Sequence, residues 1–284
     1  MSPHIPSPKR FTLLLALIAA PAAANPRPLP FSYPHEQLGE GATEIEQYVD
    51  YTPVPATTLD GTNSTAGLLQ FQTEYEHGIT DRLELGLYVM YAPSLPGDFA
   101  TPGSVGFPSL SVPHMSEGTG MKQRLRYKLA DTGAWPVDVS LYGELVENQQ
   151  ELEFEAKIIL QRRFGKMRII ANATAEQEFE FGGEKNLVIA PSAGVTFEAT
   201  PSVQPGIEWW MRAEYPEHAD ESSSPRPFDL GPHHYVGPAL LLQFGRLWWT
   251  NGVYLRVSDF GRALQPGDSF GNIWIRSVVG LGFD

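Results

Sequence analysis

Between residues 121 and 179 the chain passes through four successive stretches in which every second side chain is apolar and nearly every intervening one is charged or polar. None of them shows the three-to-four spacing of a helix. In residues 151–161 the odd positions are Glu151, Glu153, Glu155, Lys157, Ile159 and Gln161, while the even positions are Leu152, Phe154, Ala156, Ile158 and Leu160. Successive side chains of a strand leave on opposite faces, so one face meets an apolar medium and the other an ionic one. A soluble β-sandwich alternates too. Two further features favour a membrane-spanning barrel, oily outside and polar within.

The first is the N-terminus. His4, Lys9 and Arg10 precede an apolar run at 11–20 and the small residues Ala22, Ala23 and Ala24, the pattern of a secretory signal peptide cleaved after Ala24. That run is too short to span a bilayer as a helix, and no later run reaches the required length. The chain then divides into a signal peptide (1–24), an extended proline-rich periplasmic lead-in (25–42) with Pro26, Pro28, Pro30 and Pro34, and a barrel (43–284). The lead-in could also fold inward as a plug; the sequence does not separate these.

The second is the strand count. Alternating stretches fall at 43–54, 66–77, 82–92, 119–129, 136–146, 151–161, 167–179, 187–198, 203–215, 235–244, 247–258 and 270–283. They predict an all-β, antiparallel up-and-down transmembrane barrel of about twelve strands. With the N-terminus in the periplasm, the connections after even-numbered strands are all short. Four of the other six, at 55–65, 93–118, 216–234 and 259–269, are long and rich in Gly, Pro, Ser and Asp.

Energy settles the register. Lys122, Arg124, Arg126 and Lys128 share one parity, and Arg or Lys at the bilayer midplane costs about 2–4 kcal/mol each. They face the lumen, leaving Met121, Leu125, Tyr127 and Leu129 toward lipid with Gln123 as a misfit. Gln47, Thr73, Gln177 and Asn251 are misfits on other strands. Phe164, Phe197, Phe244, Trp248 and Trp249 beside the short turns, and Tyr91, Phe179 and Tyr215 at the other ends, fit two interfacial girdles. The last strand, ending Leu281-Gly282-Phe283-Asp284, resembles the C-terminal strand through which the barrel-assembly machinery receives outer-membrane barrels, although those usually end on the aromatic itself.

Composition narrows the chemistry. There is no cysteine, which excludes thiol catalysis and cysteine metal sites. The formal charge of -13, which becomes about -15 without Lys9 and Arg10, makes a nucleic-acid partner unfavourable.

The stretch Glu74-Tyr75-Glu76-His77-Gly78-Ile79-Thr80-Asp81-Arg82-Leu83-Glu84-Leu85-Gly86-Leu87 resembles a hairpin common in the phenol-degradation (MetA-pathway) family of outer-membrane proteins. The opening Gly39-Glu40-Gly41-Ala42-Thr43-Glu44-Ile45-Glu46-Gln47-Tyr48 is similar to the first strand of the same broad group. The resemblance implies a bacterial outer-membrane barrel that acts as a channel for small, hydrophobic or aromatic compounds.

The candidate site is therefore the lumen. Its expected pore-lining charges are Lys122, Arg124, Arg126 and Lys128; Asp138 and Glu144; Glu151, Glu153, Glu155 and Lys157; Arg168 and Glu176; and Glu208 and Arg212. Two readings stand: a transverse field in a narrow pore, or a salt-bridged network that closes the lumen. An open pore with excess acid implies cation preference. The expected partners are membrane lipid, the assembly machinery and small solutes, with no cofactor and no metal. An outer-membrane phospholipase is the enzymatic alternative, but no hydrolase or metal motif is present. His233 and His234 near Ser222, Ser223 and Ser224, with Asp229 as a weak metal partner, read as solvated loop residues. A structural or adhesive barrel using the loops 93–118 and 216–234 is the remaining alternative.

Overall fold

The computed structural model describes residues 24–57, 63–91, 104–105, 120–148, 151–217, 230–265 and 268–283. The expected signal peptide, apart from Ala24, lies outside the described residues, as do most of the loops 93–118 and 216–234. The strands are β1 (Thr43–Thr57), β2 (Asn63–Thr80), β3 (Leu83–Tyr91), β4 (Ser104–Val105), β5 (Gly120–Lys128), β6 (Asp138–Asn148), β7 (Glu151–Phe164), β8 (Met167–Glu180), β9 (Lys185–Ile189), β10 (Ser192–Phe197), β11 (Val203–Pro216), β12 (His233–Phe244), β13 (Leu247–Arg256) and β14 (Ile273–Phe283).

Every pairing is antiparallel, and β14 returns to β1 from Thr43 opposite Phe283 to Tyr51 opposite Ile275, which closes the barrel. The two-residue β4 pairs with β2 as an extra strand. β9 and β10 make one stave between β8 and β11, so twelve staves form the wall. That stave is split at Ala190-Pro191 because Pro191 brings no N–H to the ladder, although its carbonyl still accepts from the Met211 N–H at 3.0 Å.

One expected loop proves to be strand. Residues 55–57 and 63–65 continue the β1–β2 ladder to Thr57 opposite Asn63. Pro53 and Pro55 are tolerated because β1 outruns β14 there, and a proline nitrogen facing a free edge forfeits no hydrogen bond.

The alternation sorts the faces as expected. On β7, Phe154 and Ile158 are about half exposed, whereas Lys157 and Ile159 between and beside them are buried. On β5, Met121, Leu125 and Tyr127 point out while Arg124 and Arg126 point in. Ile45, Leu87, Leu141, Ile169, Ile207, Leu240, Val253 and Val279 continue the exposed apolar belt around the wall. A continuous belt of this kind far exceeds an ordinary water-facing surface and matches hydrocarbon.

Two of the misfits explain each other. Gln47 and Thr73 lie opposite one another, and the Thr73 hydroxyl donates to Gln47 Oε1 at 2.7 Å, joined by the Tyr91 hydroxyl at 3.2 Å. Polar side chains on the oily face are thus paired within the wall.

Two expectations are corrected. Trp248 does not belong to the girdle: it is fully buried, pointing inward, and donates through Nε1 to Glu44 at 2.6 Å. It shares parity on β13 with the inward-facing Arg256, which already fixed its side of the wall. The segment 25–38 is not a periplasmic lead-in but lies inside the barrel, with Arg27, Leu29, Ser32, His35 and Leu38 buried. Its apolar side chains gain burial there, and its backbone finds partners on the wall.

Leu125 stands near the middle of β5 on the lipid face. Leu125→Arg is expected to lower folding stability by roughly 2–4 kcal/mol, measured as reversible folding into lipid vesicles. An unchanged stability would contradict the register.

Candidate functional site

The N-terminal segment is a loop whose two limbs meet where the Asn25 side-chain amide donates to the Glu36 carbonyl at 3.1 Å. Between them it rises to Phe31. Its backbone is held by side chains of the wall. Phe31 N–H donates to Glu208 at 3.1 Å, Tyr33 N–H to Asn172 Oδ1 at 2.6 Å, and His35 N–H to Gln161 Oε1 at 3.1 Å. These alternate residues dock as a set, each on a different stave. Asn172 also donates back to the Tyr33 carbonyl at 3.1 Å, reproducing with a side chain the two-bond exchange of a strand pair. Pro26, Pro28, Pro30 and Pro34 carry no N–H, so the segment enters the lumen with four fewer donors to satisfy. Leu29 nests against Gly194, where an added Cβ would come within 2.6 Å of Leu29 Cδ1.

Near the end of the barrel that carries the short turns, the lumen is ionic and its charges are buried. Arg124 reaches Glu74 at 2.9 Å, Glu76 at 2.7 Å and Glu84 at 2.9 Å, all fully buried. Arg126 adds a contact to Glu84 at 3.2 Å, and Arg27 from the plug reaches Glu46 at 3.2 Å. Gly86 makes this possible, because a Cβ there would stand 2.5 Å from Arg124 Nε. The Tyr48 hydroxyl lies between two carboxylates, within hydrogen-bond reach of Glu46 and, at 2.8 Å, of Glu74.

Beyond the plug lies a cavity of about 610 Å³ whose floor is Arg27, Phe31 and Tyr33. One side is aromatic. Phe31 stacks on Trp210 at 4.3 Å between ring centroids, with Trp274 edge-on to Trp210 at 5.3 Å. Arg276 sits 3.8 Å over the Phe31 ring and is held by Asp50 at 2.8 Å. The other side is a set of ion pairs: Lys122 with Glu144 at 3.0 Å, Lys157 with Glu155 at 2.7 Å, and Arg212 with Glu176 at 2.7 Å and Glu178 at 2.8 Å.

The fourteen charges expected from the sequence therefore divide by depth. Lys122, Glu144, Glu155, Lys157, Glu176 and Arg212 line the cavity. Arg124 and Arg126 belong to the network beneath it, and Glu208 holds the plug while also accepting from the Tyr254 hydroxyl. Asp138 accepts from the Gly133 N–H at 2.6 Å, Arg168 meets Glu36 at 3.5 Å, and Glu151 accepts from Asn148 at 2.8 Å. Lys128 is half-buried at the end of β5. Glu153 groups with Glu176 and Glu178, carboxylate oxygens within 4.8 Å of one another. Arg212 already bridges two of these three acids.

Sequence reasoning did not single out Asn172, Gln161, Trp210 or Trp274 as site residues. Their parity places them inside, yet nothing local says that a peptide or an aromatic cluster awaits them. The His pair divides: His233 stacks on Phe270 at 4.2 Å in the lumen, whereas His234 lies on the outer wall against Trp209. Ser222, Ser223, Ser224 and Asp229 lie outside the described residues.

No known family profile matches the chain, and no curated protein matches it. Among solved structures it is similar to the COG4313 outer membrane channel from Pseudomonas putida F1, at 11% identity and a TM-score of 0.59 over 88% of this chain and 98% of that one. The KdgM porin follows at 7% identity and a TM-score of 0.45, over 85% of this chain and 98% of that one. The first likeness is one of fold.

Two expectations concern the plug. Asn172→Ala removes both bonds to Tyr33 and is expected to lower the free energy of local opening by about 1–2 kcal/mol, read as faster amide exchange at 31–35 while the strands stay protected. His35 accepts or donates at Nδ1 with Ser140 Oγ at 2.8 Å, and its Nε2 has no partner among the described residues. Burial, with Lys128 adding to it, holds its imidazole below the ordinary value, against the opposing pull of Asp138 and Glu36. A depressed histidine contributes stability above its unfolded value of about 6.5 that is lost as pH falls. Opening of the plug, corrected for intrinsic exchange rates, is expected to become easier as pH drops below about 6.5, and His35→Gln should flatten that dependence.

Proposed function

We propose that the protein is a passive channel in the outer membrane of a diderm bacterium, secreted with its signal peptide, and that its own N-terminal segment keeps it narrow. The observation that carries this reading is the cavity of about 610 Å³ between the plug and the long-loop end, lined at once by aromatic rings and paired charges. That volume suits one small molecule at a time rather than a wide aqueous pore. The Phe31, Trp210 and Trp274 rings offer stacking faces, which supports small aromatic or hydrophobic compounds as the solutes. The hairpin at Glu74 to Leu87, with its resemblance to the phenol-degradation family, points the same way. The assembly machinery is the partner proposed for β14.

The closed, structural barrel is the second reading, favoured by the pairing of Arg124 with three carboxylates. Planar-bilayer recordings separate the two. The wild type is expected to pass small, cation-preferring currents, because buried acids outnumber bases along the lumen. Deleting residues 26–36 should raise the conductance several-fold. Silence from both proteins at every voltage would exclude the channel.

A further inference from the structure

Five glutamates gather beneath the plug: Glu44, Glu46, Glu74, Glu76 and Glu84, each at most 1% exposed. Four of them have an arginine within salt-bridge distance, from Arg27, Arg124 or Arg126. Glu44 alone pairs with no cationic side chain among the described residues. Its Oε1 accepts from Trp248 Nε1 at 2.6 Å, and its Oε2 accepts at 2.8 Å from the backbone nitrogen of Asn25. A carboxylate taken out of water without a cation is costly, and two neutral donors do not cancel its charge.

Asn25 is also the residue that follows the expected cleavage site, Ala22-Ala23-Ala24. We infer that the missing cation is the α-ammonium of the mature chain: cleavage after Ala24 creates at Asn25 the charge that pairs with Glu44 and locks the plug. A signal endopeptidase supplies the catalysis and water the atoms. Hydroxide adds to the Ala24 carbonyl carbon, the Ala24–Asn25 C–N bond breaks, and Ala24 departs as a carboxylate. The Asn25 nitrogen keeps the electron pair and takes up protons to become an ammonium. Ala24 packs at the edge of the cluster formed by Tyr48 and Trp248, so its departure opens space beside the new ammonium. The Asn25 side-chain bond to Glu36 holds the amine in place from the other limb.

The inference rests on the plugged lumen and not on solute passage, so the test reads the amine itself. The full chain is expressed in a diderm host, purified from its outer membrane, and its N-terminus determined by intact mass and peptide mapping. A free α-amine has an ordinary pKa of about 8 against about 10.4 for lysine, so limited acetylation near neutral pH selects it. The expected chain begins at Asn25, and its amine reacts at least about tenfold more slowly in the folded barrel than after heat unfolding, the scale of one charge-assisted bond. Glu44→Gln keeps a hydrogen-bond acceptor but no charge and should remove most of that protection. A different first residue, equal rates in folded and unfolded wild type, or a folded E44Q with full protection would each overturn the inference. Heat-modifiable gel mobility reports folding. Should E44Q fail to fold, Glu44→Asp, which keeps the charge but withdraws it by one methylene from the amine, should raise the acetylation rate; no change there also overturns the inference.

Discussion

A guanidinium at the centre of the turn-end lumen, Arg124, holds three carboxylates from two different staves within 2.9 Å. Removing one partner of a buried pair typically costs about 3–5 kcal/mol, because the other charge is left without water or counter-ion. The lumen cannot therefore lose or shift one of these groups alone. β2, β3 and β5 are tied in register by this arrangement, and the small size of Gly86 follows from it. The same need for partners explains why Arg27 of the plug comes to rest against Glu46.

The plug obeys a second form of the same rule, applied to backbone. A peptide inside a narrow barrel leaves water and must find acceptors for its N–H groups. The wall offers Glu208, Asn172 and Gln161 on three separate staves, and the segment meets them with alternate residues. Its prolines reduce the demand. Composition that reads as a flexible linker in the sequence is thus also suited to a dry interior.

Above the plug, charge and aromatic surface share one cavity. Arg276 belongs to both, ion-paired to Asp50 and seated on Phe31. A residue of the plug thereby forms part of the cavity surface, so the segment sets the shape of the floor as well as the width of the lumen. Fold likeness to the Pseudomonas channel says that the wall is of a shared kind. The site's chemistry belongs to this chain's own residues.

The alternation, clearest in residues 121–179 and continued from 43 to 283, determined by itself the strand periodicity, the oily and ionic faces and the twelve staves, because a period of two leaves each side chain only one of two media. It placed Lys122, Arg124, Lys157, Glu176 and Arg212 inside without knowledge of any partner. It also contained the correct side for Trp248, through the parity shared with Arg256, had position beside a turn not suggested otherwise. What the tertiary structure alone decided is which inward residues meet. Asn172 and Tyr33 are 139 positions apart and Glu44 and Trp248 are 204 apart. Closure of the barrel makes them neighbours, and no local pattern carries that distance. The path of residues 25–38 was likewise undetermined locally, since an extended proline-rich chain is stable in water. Only the row of acceptors assembled from distant staves makes the lumen the better solvent.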